Sequence, residues 1–198
     1  MIGRETAIRH RGRHERAARS GLVILLVFGL AACSGDDERG QADEILQQGL
    51  QAQAAGDFNA AVDAYLRVIQ LDPQNKFAYY NLGVIEQSRG ELPAAEGHYR
   101  TTLGLDPDFV PALFNLAILR TETGPDEAVT LYEHLIQVDP SHAAAHLNLG
   151  FLLIEQGQER RGQKELEEAV RLDPSLEDRI GPETSGEAPV SESPGATP

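Results

Sequence analysis

Residues 76–109 read KFAYYNLGVIEQSRGELPAAEGHYRTTLGLDPDF: two stretches with helical apolar spacing, parted by Gly90 and closed by Leu105-Asp106-Pro107. Apolar residues at i, i+3, i+4 and i+7 predict a helix on each side of the glycine, with glycine as one stop and proline as the other. The closing tripeptide recurs. Leu71-Asp72-Pro73 precedes it, and Val138-Asp139-Pro140 and Leu172-Asp173-Pro174 follow, placing the prolines 34, 33 and 34 residues apart. A fixed period of this length signals a stack of repeats rather than an ordinary globular domain. Short two-helix repeats build surfaces more readily than catalytic pockets, so an enzyme is not expected.

With each proline at repeat position 32, the units run 42–75, 76–109, 110–142 and 143–176. A glycine recurs in the middle of each, at Gly56, Gly90, Gly124 and Gly157. Small residues stand at position 8 (Gly49, Gly83, Ala117, Gly150) and in the second helix (Ala61, Ala95, Ala128, Gly162), where helices can approach closely. Tyr65, Tyr99, Tyr132 and Leu166 follow four residues later, on the same helical face. The residue missing from the third unit falls between Gly124 and Ala128, in the turn, where Pro125 can open the second helix without needing an amide hydrogen. These residues resemble the tetratricopeptide repeat (TPR), with Ile45, Tyr79, Leu113 and His146 at its signature tryptophan position. The resemblance implies an all-α fold, a right-handed α-solenoid of four helix-turn-helix repeats.

The first helix of each repeat carries more than a packing stripe. In the second unit, Tyr79, Leu82, Gly83 and Glu86 form one stripe and Phe77, Tyr80, Asn81 and Val84 another. A helix needs two apolar stripes when one packs and the other meets something else. The third unit repeats the second stripe with Phe114, Asn115 and Ile118, the fourth with Leu147, Asn148 and Phe151, and Gln47 takes the asparagine's place in the first. In tetratricopeptide superhelices the corresponding stripe lines the concave groove, so the resemblance implies a peptide-binding groove made of these residues. An asparagine per repeat can pair with both groups of a peptide bond, similar to the asparagine ladder of O-linked N-acetylglucosamine transferase. The same side chain can equally bond along or between helices. A carboxylate clamp is not expected, because the relevant positions hold Leu46, Leu50, Pro111 and Asn115.

The two ends differ from the repeats. The first 32 residues hold six arginines and two glutamates, net +4, and the remaining 11 basic and 29 acidic residues give −18. An acidic body of this kind repels phosphate backbones, so no nucleic-acid partner is expected. The uncharged run Gly21–Ala32 has twelve residues, too short to span about 30 Å of hydrocarbon and suited to a secretory signal. Leu30-Ala31-Ala32-Cys33 resembles the bacterial lipobox. That resemblance implies residues 1–32 as a lipoprotein signal peptide, lipidation at Cys33, and membrane attachment through acyl chains. An uncleaved anchor helix is the other reading. Residues 33–41 are small, polar and acidic, a flexible tether. Residues 177–198 form an acidic tail rich in proline and serine, read as disordered. The address is extracytoplasmic: the outer membrane facing the periplasm in a two-membrane cell, or the outer leaflet of the plasma membrane in a one-membrane cell.

No Gly-rich phosphate loop or nucleophile constellation is present, and no cofactor is expected. His142 and His146 have i, i+4 metal spacing, but His146 takes a packing position and no third ligand is spaced nearby, so no metal site is assigned. Together these readings describe a lipid-anchored adaptor that binds a peptide segment of another envelope protein, in pilus-secretin or cell-wall machinery by analogy. The alternative is a structural lipoprotein that self-assembles, as a homodimer, through an uncapped last repeat. The usual polar capping helix is absent, leaving only Leu176 and Ile180 to shield that end.

Overall fold

Every Asp-Pro step ends its helix by the same chemistry. The N–H groups of Asp72, Asp106, Asp139 and Asp173 still bond back four residues, to the carbonyls of Val68, Thr102, Leu135 and Ala169, at 2.7–2.8 Å. Each carboxylate then turns forward and accepts the N–H two residues on, of Gln74, Asp108, Ser141 and Ser175, at 3.0–3.1 Å. The intervening proline cannot continue the helix, and the aspartate supplies the turn's acceptor.

The computed structural model describes the backbone of residues 20–181 and the side chains of residues 37–181. Its helices are α1 (Ser20–Ala54), α2 (Phe58–Leu71), α3 (Lys76–Ser88), α4 (Leu92–Leu105), α5 (Val110–Arg120), α6 (Pro125–Val138), α7 (Ala143–Glu155), α8 (Glu159–Leu172) and α9 (Glu177–Ile180), with a 3₁₀ turn at Pro174–Leu176. Contacts run from each helix to its immediate neighbours, and the strongest pairs are α1 with α2, α3 with α4, α5 with α6, and α7 with α8. The described chain is therefore an α-solenoid of four helical hairpins, as the sequence period implies.

Three of the four mid-repeat glycines act as left-handed helix stops. Gly56, Gly90 and Gly157 have φ of 81°, 77° and 74°. The N–H of the next residue (Asp57, Glu91, Gln158) reaches back to the carbonyl of Ala52, Glu86 or Leu153 at 2.8–2.9 Å. This closes the orphan carbonyls of the helix end at a conformation that favours glycine. Gly124 differs, with an extended φ of −159°. The third repeat is one residue short, α5 ends after eleven residues where α3 and α7 have thirteen, and Pro125 opens α6 directly. Arg100, Glu96, Arg120 and Glu127 form a ring of alternating charges across this junction, with N···O distances of 2.7–3.5 Å.

Inside the first two hairpins the small residue at position 8 faces a tyrosine ring. Tyr65, Tyr99 and Tyr132 are buried. A Cβ on Gly49 would lie 2.6 Å from the Tyr65 ring, and one on Gly83 would lie 2.7 Å from the Tyr99 ring. The phenol hydroxyls are satisfied across the pair: Tyr65 donates to Gln53 and Tyr99 to Gln87, each at 2.6 Å. Burial pushes the Tyr65 hydroxyl up to about 12, and Tyr99 and Tyr132 move the same way. The fourth repeat exchanges both members of the pair for apolar residues, Ile154 and Leu166. A hydroxyl and its acceptor vanish together, so nothing polar is left stranded.

Two expectations about the ends change. The polar stretch 33–41 is not a coil here but part of α1, where the first buried side chains among the described residues are Ala42 and Leu46. It contains no proline, and its acids, Arg39 and Gln41 are compatible with a helix. At the other end the last repeat is covered. The 3₁₀ turn and α9 fold Leu176, 8% exposed, onto Leu147, Leu166 and Ala169, and Ile180 packs beside it. Burying one leucine contributes about 1.5–3 kcal/mol toward holding this segment in place. Among the described residues no helix is long and apolar enough to cross a membrane. The side chain of Cys33, the arginine-rich leader up to residue 19 and the tail beyond residue 181 lie outside the described residues.

Candidate peptide-binding face

The second stripe of the first helices is left open. At repeat position 9, Leu50, Ile118 and Phe151 are 37–39% exposed and Val84 is half-buried, giving one bulky apolar residue per repeat along one face. Phe77 is 47% exposed, Gln47 is exposed, and Tyr80, Asn81, Phe114, Asn115 and Asn148 are half-buried. Leu147 does not belong with them. It is fully buried, because the C-terminal turn covers the place where a fifth repeat would stack.

The aromatic residues gather into two clusters. Phe77 and Tyr80 both meet Phe109 edge-on, with ring centroids 5.7 and 5.3 Å apart, and Tyr80 also packs at 5.9 Å from Tyr99. The ammonium of Lys76 lies 5.2 and 5.3 Å from the Phe77 and Phe109 rings and is ion-paired to Asp106. Phe114 packs 6.2 Å from Tyr132 and 4.9 Å from His142. Phe109 was absent from the sequence-derived set because it stands in the turn after Asp-Pro, as the residue that precedes α5, outside any helical stripe.

The three asparagines are not equivalent. Asn115 donates its amide to the hydroxyls of Tyr99 (3.2 Å) and Tyr80 (3.4 Å), and Asn148 donates to Tyr132 (3.2 Å). Asn81 instead donates back to the Phe77 carbonyl of its own helix at 2.8 Å. Two of the three therefore bind the buried tyrosine of the preceding hairpin, which ties successive repeats together. These bonds oppose the upward push of burial on the Tyr80, Tyr99 and Tyr132 hydroxyls.

Between the third and fourth repeats the face deepens into a cavity of about 510 Å³. Ile118, Asn148 and Phe151 line it, joined by Leu92, Leu119, Thr121, Glu122, Thr123, Tyr132, Leu152 and Glu155. The additional residues come from the end of α5, the shortened turn, the start of α4, the middle of α6 and the end of α7. A stripe drawn on α7 reaches Leu152 and Glu155, but no stripe on one helix finds those from the turn, α4 and α6. The two histidines with metal spacing have other partners. The Nδ1 of His142 accepts the Ala145 N–H at 3.1 Å and so caps α7, while His146 contacts Glu165 at 2.7 Å and the Pro140 carbonyl at 3.1 Å.

Comparison with known proteins agrees with this architecture. The family model described as the Cilia and flagella-associated protein 70 middle TPR-like domain matches residues 45–173. A search of curated protein sequences finds no match. Among solved structures, MamA superposes with a TM-score of 0.62 at 20% identity, over 68% of this chain and 74% of that one. PilF of Pseudomonas aeruginosa superposes with a TM-score of 0.59 at 23% identity, over 76% of this chain and 65% of that one. A tetratricopeptide repeat protein from Parabacteroides merdae gives 0.61 at 23% identity, over 67% of this chain and 54% of that one. The match covers all four hairpins, with their glycine and aspartate stops in register, and the chain belongs to this family of TPR-like domains, helical scaffolds for protein interaction.

Proposed function

We propose that this protein is a lipid-anchored, extracytoplasmic adaptor that holds an extended segment of another envelope protein on the open face of its first helices. The observation that carries the reading is the row Leu50, Val84, Ile118 and Phe151, kept exposed or half-exposed at one repeat position beside a cavity of about 510 Å³. Isolated exposed apolar residues are ordinary, but a contiguous, periodic row is the mark of a binding surface. An extended peptide placed along it puts side chains into the apolar positions and donates its backbone to the asparagine oxygens. The Leu30-Ala31-Ala32-Cys33 run supports the anchor and the extracytoplasmic address, with pilus-secretin and cell-wall machinery as the processes to examine first. Catalysis plays no part in this reading.

The test is proximity crosslinking in intact cells, comparing the native chain with Ile118→Ser and Phe151→Ser together. Loss of one or a few defined partners with the variant supports the reading. An unchanged partner set, with the variant present at normal level, overturns it. Anchoring is tested separately by Cys33→Ser, which should abolish metabolic labelling with an alkynyl fatty acid and move the protein to the soluble fraction.

A further inference from the structure

The polar atoms of the cavity are nearly all acceptors. Thr121 and Thr123 spend their hydroxyl protons on the carbonyls of Ala117 (3.0 Å) and Leu119 (3.4 Å). Asn148 gives an amide hydrogen to Tyr132, and the neighbouring Asn115 gives its amide to two tyrosines. The remaining polar groups are chiefly acceptors, namely amide oxygen, hydroxyl lone pairs and two carboxylates, beside the Tyr132 hydroxyl and the second amide hydrogen of Asn148. Glu122 in the shortened turn and Glu155 at the end of α7 are both exposed and line the same cavity, and their carboxylates make no ion pair or hydrogen bond with any described residue. Four other acids, Glu96, Glu127, Glu133 and Glu168, are matched with arginines. Among the described residues no cation lines the cavity, and Lys76, farther along the face, is held by Asp106.

An apolar floor of Leu92, Ile118 and Phe151 under a rim of free carboxylates and acceptor oxygens asks for a ligand that supplies both apolar area and donors. We propose that the cavity takes a cationic, amphipathic peptide segment, in which a Lys or Arg side chain beside a bulky apolar residue meets Glu122 and Glu155. This deepens the adaptor reading and rests on it. A negative partner would leave these carboxylates opposed by like charge, and a neutral one would leave them solvated without gain. The net charge of −18 outside the leader draws such a segment in from a distance.

Fluorescence anisotropy of the full chain in detergent tests the inference, using three capped synthetic peptides of the pattern Gly-Leu-X-Phe-X-Leu-Gly with X as Lys, Gln or Glu. The Lys peptide should bind about tenfold more tightly than the Gln peptide, and the Glu peptide more weakly than either. Glu122→Gln with Glu155→Gln should cost the Lys peptide about that tenfold and leave the Gln peptide unchanged, while Glu38→Gln with Glu44→Gln on α1 leaves both unchanged. Equal binding of all three peptides, or a Lys preference that survives the Glu122/Glu155 change, would overturn the inference while leaving the groove intact. Ile118→Ser with Phe151→Ser should weaken all three peptides. Failure to do so, or no binding by any peptide, would refute the groove itself and this inference with it.

Discussion

Three asparagines that look alike in the sequence should respond differently to replacement by alanine. In Asn115→Ala the lost contacts are a 3.2 Å bond to the Tyr99 hydroxyl and a longer 3.4 Å bond to Tyr80. A typical bond contributes about 1 kcal/mol net, and an acceptor left dry on a buried tyrosine costs about 1 kcal/mol more. Alanine returns about 0.6 kcal/mol through its better helix propensity. The sum is a destabilisation of about 1–1.5 kcal/mol. Asn148→Ala loses the single 3.2 Å bond to Tyr132 and should cost about 0.5–1 kcal/mol. Asn81→Ala gives up only a back-bond to a carbonyl of its own helix, so the propensity gain wins, and stability should stay level or rise by about 0.5 kcal/mol. Urea unfolding followed by circular dichroism resolves these differences as shifts of the midpoint at constant slope. A phenolate absorbance titration gives a second readout, because losing Asn115 should move the Tyr80 and Tyr99 hydroxyls further up. If Asn81→Ala destabilises as much as Asn115→Ala, the asparagines act in stability as one set and the argument from their partners fails.

Gly83→Ala should destabilise by about 1–3 kcal/mol, since its new methyl meets the Tyr99 ring at 2.7 Å, whereas Gly97→Ala in the open middle of α4 should stabilise by about 0.5–1 kcal/mol; thermal melts of the pair check both signs. Leu176→Ser should unseat the C-terminal turn and expose Leu147, read as increased binding of a hydrophobic dye and as faster amide exchange near the end of α8. Lowering the pH should weaken the fold through Asp106, Asp139 and Glu168. Their carboxyls are held below the ordinary range by Lys76, by the Ser141 hydroxyl and by Arg171 respectively. Because folding depresses these pKa values, the stability they add is present above the unfolded values of 3.8 and 4.5 and is lost as pH falls through the lower folded ones. Asp106→Asn should flatten the acid limb of a plot of melting temperature against pH, and an unchanged limb would refute the assignment.

Local chemistry made the fold readable. Each Asp-Pro stop and each of the left-handed glycines acts within five or six residues, so periodicity alone located the hairpins and even the short turn before Pro125. The face was readable only in part. Val84, Ile118 and Phe151 follow from helical spacing, but Leu147 does not stay open, because burial there depends on Leu176 and Ile180 returning from beyond the last repeat. Phe109, Leu92 and Glu122 join the face through turns and through neighbouring hairpins, which no single-helix pattern reports, whereas Glu155 extends the Asn148 and Phe151 stripe by one turn. The asparagine ladder shows the same limit. Its spacing is visible in the sequence, whereas the choice between a tyrosine hydroxyl and a helix carbonyl is made by packing.

The aspartate turns separate two jobs that a globular domain usually gives to the same residues. The turn from one hairpin to the next is built by Asp72, Asp106 and Asp139 and the prolines behind them, and none of these lines the cavity between the third and fourth repeats. Side chains at Leu50, Ile118 and Phe151, exposed on the face, can therefore be exchanged without touching those turns. A lineage carrying these joints is free to change what it holds, one repeat at a time, or to lengthen by duplicating a hairpin, while the frame that presents the face stays the same.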